Sequence, residues 1–418
     1  MALSMKVFGV NTFALRIPDI LMASLMPILI YRMGTVIQSK SLGFYAGLLF
    51  LTSSFLLKLI PGRLNTDHND LAFIFYILAS FWAWFEYQHS KNKWWLVAIG
   101  VFSGIAILVK WVVGLIVYAG WGLSIISDKD SRSHISNYLD MLKSLSLTIL
   151  VTLPWQIYIL WKYPLISRYK YALNTEHFHK VVHGHDGPWY FHMEQWSIHI
   201  VEYFNYIVPI GLALFLLLKI KQSYKVAIFS WVVIVSLFFS IAATKMPAFT
   251  LIISPLFFII LVAPWSLSWT FIEQNIKFKF KRILIPSLRA GLAIAAFYYM
   301  FNMNDLNNNP GWKKAMWKAD YAEAITFKKI SELELSENSR FYNFYFHGAV
   351  RFMFHTPYQA RSFLPNIENI KLLKQKGVSI YVFDNGKLPD YIIQDKSITK
   401  IKSPIWRDSQ FEDLKLYQ

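Results

Sequence analysis

Residues 94–127 read WWLVAIGVFSGIAILVKWVVGLIVYAGWGLSIIS, 34 positions with a single charge, Lys110. So long an apolar run does not suit the surface of a soluble domain, and each half approaches the roughly 18 residues that cross a bilayer. The spacing therefore predicts a hairpin of two spans, 94–109 and 111–127, interrupted at Lys110. Outward from it, further apolar runs occur near 18–37, 42–60, 70–88, 143–161, 199–218, 225–243, 247–265 and 284–301. Short polar clusters separate them, which predicts an α-helical polytopic membrane protein of about ten or eleven transmembrane helices.

Composition agrees with that reading. Of 418 residues, 55% are hydrophobic and 16% charged, where a soluble chain has about a quarter charged. The net charge of +17 is dispersed among the loops and forms no nucleic-acid-binding stripe, so an anionic lipid or lipid-linked substrate is the expected partner, with no nucleic acid. Cysteine is absent, which excludes disulfides, thiolate metal sites and a cysteine nucleophile. Met1 to Asp19 carries no secretory-signal pattern.

Alternate loops differ in Lys and Arg. One set, from Arg32 and Lys40 through Lys91, Lys93, Lys129 and Lys221 to Arg282, holds about 14, and the opposite set about eight. The richer set is expected in the cytoplasm, with the long 163–198 loop and everything after residue 301 outside. The apolar runs end there: residues 1–301 read as the membrane domain, and 302–418 as a small extramembrane α/β domain with strand-like runs Arg340–Tyr345 and Val378–Phe383 and a helix-like run Ile367–Lys376.

Four polar clusters stand at the outer edges of spans, where ionisable groups are costly and often mark a substrate path. Asn65-Thr66-Asp67-His68-Asn69-Asp70 opens a span; Asp67 and Asp70 either cap its helix or place a carboxylate in a site that orients a sugar or takes an acceptor's proton. Lys110 is either an interfacial lysine with its stem in lipid or a cation for a lipid-linked phosphate. The outer loop holds six of the 11 histidines between His177 and His199, with Glu176, Lys180, His185, Asp186 and Trp189. A divalent metal is one use of such a loop and a polar substrate wall another, though no spacing here defines a coordination geometry. Trp189 suits a membrane interface or the face of a sugar ring. Lys245, in Thr244-Lys245-Met246-Pro247, is a second outer lysine that could approach the same phosphate.

The order of Phe13-Ala14-Leu15-Arg16-Ile17-Pro18, Asn65–Asp70, Val109-Lys110, Leu153-Pro154-Trp155-Gln156-Ile157-Tyr158, Gly184–Tyr190 and Thr244–Pro247 resembles the GT-C membrane glycosyltransferases related to lipid A aminoarabinose transferase and protein O-mannosyltransferases. The resemblance covers roughly 7–265. It implies a GT-C-like fold and transfer of a sugar from a polyprenyl-phosphate carrier to a lipid, glycan or protein acceptor, with inversion, at the outer face of a bacterial inner membrane. In matching positions Lys110 and Lys180 would hold the carrier phosphate and Asp70 would shape the cavity, with His177, Trp189 and Lys245 as weaker carry-overs. Lys180 replaces an arginine, so a bidentate grip becomes a point charge. The resemblance also implies a preceding helix and an outer loop bearing the acceptor-activating acid, so the chain reads as N-terminally truncated and its proposed general base as absent. The competing readings are a transporter or binding protein for a lipid-linked sugar, and a non-catalytic remnant.

Overall fold

The computed structural model describes residues 1–62, 69–182, 184–200, 204–275, 281–301, 311–344, 348–402 and 415–417. The chain forms two compact units, Pro18–Leu306, and Asn307–Gln418 together with Met1–Ile17.

The first unit is helical. Among the described residues, four helices are long and apolar enough to cross a membrane: Thr12–Ile37, Ile135–Lys162, Gln222–Ile241 and the Pro247–Trp269 segment. Lys40–Leu51, Trp94–Lys110, Val112–Ser127, Tyr206–Leu217 and Ile283–Tyr298 are shorter apolar helices. Proline inside several of them, such as Pro27 and Pro154, is tolerated because neighbouring helices satisfy the freed carbonyls. The expected 42–60 span is broken into Lys40–Leu51 and Ser54–Leu59. At the break the Thr52 hydroxyl donates to Leu49 O (3.1 Å) and the Ser53 hydroxyl to Phe50 O (2.8 Å), a local alternative to the helical ladder.

The Asn69–Ser90 helix is buried along most of its length and is the aromatic spine of the unit. Trp231, from Gln222–Ile241, stacks on Phe81 at 3.9 Å and meets Trp84 edge-on at 5.3 Å. Gly120 makes room for it, since a Cβ there would overlap the Trp231 indole. Gly43 likewise lies so close to the Tyr31 carbonyl that no larger residue fits, and small residues of this kind let membrane helices approach. Polar contacts add to the packing: the Tyr118 hydroxyl meets Ser144 (2.9 Å) and Thr148 (2.7 Å), and Thr148 donates to Gly100 O (3.0 Å). Glu86, buried in the spine, receives the Arg32 guanidinium and the Trp82 indole N–H (3.1 Å), so its charge is paired as burial requires.

The second unit carries a five-stranded sheet of order β2-β1-β3-β4-β5, with β1 Ser339–Tyr342, β2 Gln359–Arg361, β3 Ser379–Asp384, β4 Ile398–Lys402 and β5 Lys415–Tyr417. The first four are parallel and β5 is antiparallel to β4. Strand alternation puts Phe341, Phe383 and Ile401 on one face, under Phe327 and Phe352, and Tyr342, Ile380, Val382 and Ile398 on the other, under Ile370, Leu373 and Ile392. Both faces are thus covered by helices, as parallel sheets require. The two strand-like runs and the Ile367–Gln375 helix stand where the sequence puts them, as far as the described residues reach.

Candidate functional site

A cavity of about 440 Å³ opens where the Asn69–Ser90 helix begins and the Trp94–Lys110 helix ends. Asp70 sits in the first turn of the former, where its charge complements the helix dipole. Lys110 is the last residue of the latter, and its Nζ forms an ion pair with Asp70 Oδ1. The helix stops there because Trp111 takes φ +85°, a conformation that costs a non-glycine residue of order 1–3 kcal/mol. The chain then makes a short 3₁₀ turn, Val112–Leu115. Asp70 is 3% exposed and the Lys110 side chain 24%, and both residues line the cavity.

The facing wall is the Pro164–His179 helix, where Tyr171, Asn174, His177 and Phe178 recur at helical spacing and all line the cavity. The Tyr171 hydroxyl donates to Gln156 Oε1, which projects from the Ile135–Lys162 helix. His177 Nδ1 lies 2.7 Å from Leu173 O, and a carbonyl can only accept, so Nδ1 is the donor of that contact. Aromatic rings close the rest: Phe239 stacks on Phe249 at 4.8 Å, Phe178 lies 5.4 Å from Phe238, and Lys110 Nζ is 5.8 Å from the Phe249 ring centre.

The structure thus brings Asp70, Lys110 and His177 together. Lys245 belongs to the same region but points elsewhere: its buried ammonium donates to the carbonyls of Phe239 (3.2 Å), Ser240 (2.5 Å) and Ala242 (2.6 Å), closing the end of the Gln222–Ile241 helix. Its neighbours Met246, Ala248 and Phe249 line the cavity in its place. Lys180 and His185 tie to that link through their backbones, Thr244 Oγ1 donating to Lys180 O (2.8 Å) and Lys245 N to His185 O (2.8 Å). The Lys180 side chain is exposed and lies 3.7 Å from Glu176. Trp189 is exposed with its ring edge-on to Tyr190. Lys180, His185 and Trp189 are not among the residues lining the cavity. Asp67 lies outside the described residues. Among the described residues no three His, Asp or Glu side chains converge to hold a metal ion.

Sequence reasoning assigned no role to Gln156, Tyr171 or Asn174. The available signal was the lone amide of Gln156 in an apolar run and the i, i+3, i+6 spacing of Tyr171, Asn174 and His177.

His192, in the Phe191–His199 helix, is 1% exposed. Neither ring nitrogen has a hydrogen-bond partner of ordinary geometry among the described residues. Burial first, and then the charge of Lys245, push its pKa down to about 4, against a smaller opposing pull from the Phe239 backbone. The unfolded chain takes up this proton near the ordinary histidine value and the folded chain resists it until about pH 4. Stability is therefore complete above about pH 6.5 and falls as the pH drops from there towards 4, by on the order of 3 kcal/mol. Thermal denaturation in detergent across that range should show the slope, and His192→Phe should flatten it.

Residues 1–158 match the family of dolichyl-phosphate-mannose-protein mannosyltransferases. No curated protein sequence matches the chain. Solved structures do. ArnT from Cupriavidus metallidurans bound to undecaprenyl phosphate superposes with a TM-score of 0.65 at 12% identity, over 96% of this chain and 81% of that one. Its apo state gives 0.63 at 13%, over the same shares. The archaeal oligosaccharyltransferase AglB from Archaeoglobus fulgidus, in complex with an inhibitory peptide and a dolichol-phosphate, gives 0.51 at 10%, over 96% of this chain and 60% of that one. The chain is an integral membrane protein with the fold of the GT-C membrane glycosyltransferases. Its first 158 residues carry the sequence pattern of the mannosyltransferase family just named.

Proposed function

We propose that the protein moves a sugar from a polyprenyl-phosphate carrier to a lipid, glycan or protein acceptor at the outer face of a bacterial inner membrane, inverting the anomeric carbon, with its C-terminal domain outside. The observation that carries this reading is the Asp70–Lys110 pair in the wall of an aromatic-lined cavity at the ends of two helices of the membrane unit. The polyprenyl phosphates held by the two solved relatives support it.

The chemistry asks for two things. As the acceptor hydroxyl attacks the anomeric carbon, its proton needs a carboxylate to take it, Asp67 in this reading. Meanwhile the bond from that carbon to the phosphate oxygen breaks and its electrons leave on the carrier monophosphate. A cation fixed beside that oxygen, out of bulk water, stabilises the charge as it develops. Lys110 supplies it, its ammonium held against Asp70 in the cavity wall. Asp70 holds the ammonium in place beforehand and orients the sugar. Lys180 serves as an outer contact for the carrier, and His185, Trp189 and Asp67 belong to the acceptor side of this reading.

Gln156, Tyr171 and Asn174 face the pair across the cavity as neutral donors and acceptors suited to sugar hydroxyls. Gln156→Ala is expected to raise KM for the donor about 10-fold, the value of roughly one hydrogen bond, while kcat changes less. Transfer of labelled sugar from membrane polyprenyl-phosphate donors, with the anomeric configuration of the product read by NMR, tests the whole reading. Retention of configuration would remove the single-displacement mechanism.

A further inference from the structure

The Trp94–Lys110 helix has the candidate site at its C-terminal end. Its other end, about 25 Å away along a 17-residue helix, is surrounded by a different charge cluster that the transfer reaction does not use. Three loops meet there, residues 89–93, 128–143 and 219–225, with eight Lys and Arg against three Asp. Tyr87 and Asp140 join the first two through a 2.8 Å hydrogen bond. Lys221 joins the third to both, since its charge acts on Lys91 and on Asp128.

Lys91 and Lys221 are the centre of this cluster. Both are exposed, and each ammonium stands over a ring, Lys91 at 5.1 Å from Tyr87 and Lys221 at 5.3 Å from Tyr224. Tyr224 packs on Phe85 at 5.0 Å, two residues from Tyr87, so a shared aromatic floor holds two like charges within reach of each other. The carboxylate best placed to neutralise them, Asp140, is buried and already takes Tyr87 and Lys143 (3.3 Å). Lys225 is committed to the Leu216 and Leu218 carbonyls. Beside the cluster, Trp94, Ile126 and Ile135 are strongly exposed apolar side chains. Positive charge that Asp128 and Asp140 offset only in part, over an apolar rim, is complementary to an anion that carries its own hydrocarbon.

We propose that these loops bind the phosphate headgroup of an anionic phospholipid between Lys91 and Lys221, with its acyl chains along Trp94, Ile126 and Ile135. The site is separate from the carrier cavity and does not depend on the transfer reading.

The test uses the full chain in neutral detergent, with phosphatidylglycerol, phosphatidylcholine or inorganic phosphate added, bound lipid read by native mass spectrometry and folding by the melting temperature. Phosphatidylglycerol is expected to bind and phosphatidylcholine not. K91Q/K221Q should weaken phosphatidylglycerol binding about 10- to 30-fold, on the usual contribution of a lysine near an anionic surface, with no change in melting temperature without lipid. K91R/K221R should retain binding, and in the wild type 0.5 M salt should weaken it, roughly as screening of exposed charges requires, so the proposal stays testable even if the Gln variant folds poorly. Wild-type affinity in K91Q/K221Q, or equal binding of phosphatidylcholine, would overturn the proposal. Displacement of the lipid by millimolar inorganic phosphate would assign the lysines to a free anion instead.

Discussion

Lys110→Ala is expected to lower kcat/KM for sugar transfer about 100- to 1000-fold, the range for removing one partner of a buried, hydrogen-bonded charge pair. Two losses combine. The carrier phosphate loses its cation as negative charge develops, and Asp70, 3% exposed, is left in the wall without the ammonium beside it. Asp70→Asn separates them, because it keeps the shape of the pair and removes only the buried charge. Lys110→Ala in the Asp70→Asn background should therefore fold better than Lys110→Ala alone and transfer no faster. If the double variant recovers transfer, the lysine serves only to neutralise Asp70. Lys180→Ala should weaken transfer far less, since that side chain is exposed and pairs with Glu176 in the open.

The second large effect concerns the helical core. Trp231→Ala is expected to destabilise the membrane unit by about 3–5 kcal/mol, as for other buried tryptophans, because it empties the space between Phe81, Trp84 and Gly120. Gly120→Leu attacks the same contact from the other side, forcing a side chain into the space the indole fills, and overpacking costs about 1–3 kcal/mol or more. Melting temperature in detergent checks both. A shift in Trp231→Ala no larger than that of a lipid-facing control, Leu150→Ala, would show that the aromatic spine is not what holds these helices together.

The helices were legible in the sequence because apolar runs near the length of a bilayer have few alternatives, and the hairpin interrupted at Lys110 is found with its break at Lys110 and Trp111. The break at Thr52 and Ser53 was not legible, since hydroxyls that turn back on their own helix leave the hydropathy of the run unchanged. At the site, Asp70 and Lys110 were legible as charges at span edges. Their pairing was not, because they lie 40 residues apart and only the packing of two helix ends brings them together. Lys245 shows the converse: its position was readable, but its ammonium satisfies the carbonyls at a helix end, a use no spacing announces. Gln156, Tyr171 and Asn174 face the cavity only because two consecutive helices fold back on each other.

The cavity's position also bears on the proposed transfer against the competing transporter reading. A transporter places its site near the middle of the bilayer, between repeats. Here the polar groups gather where Asn69–Ser90 begins and Trp94–Lys110 ends, which suits chemistry at one face of the membrane. The most direct measurement is binding of a polyprenyl monophosphate and of the uncharged polyprenol to the full chain in detergent, for the wild type and for Lys110→Ala. The account predicts that the monophosphate binds the wild type at least 100-fold more tightly than the polyprenol does, on the order of a desolvated charge pair, and that Lys110→Ala removes most of this difference. Equal affinity for the two lipids, or a variant that discriminates as the wild type does, would contradict it.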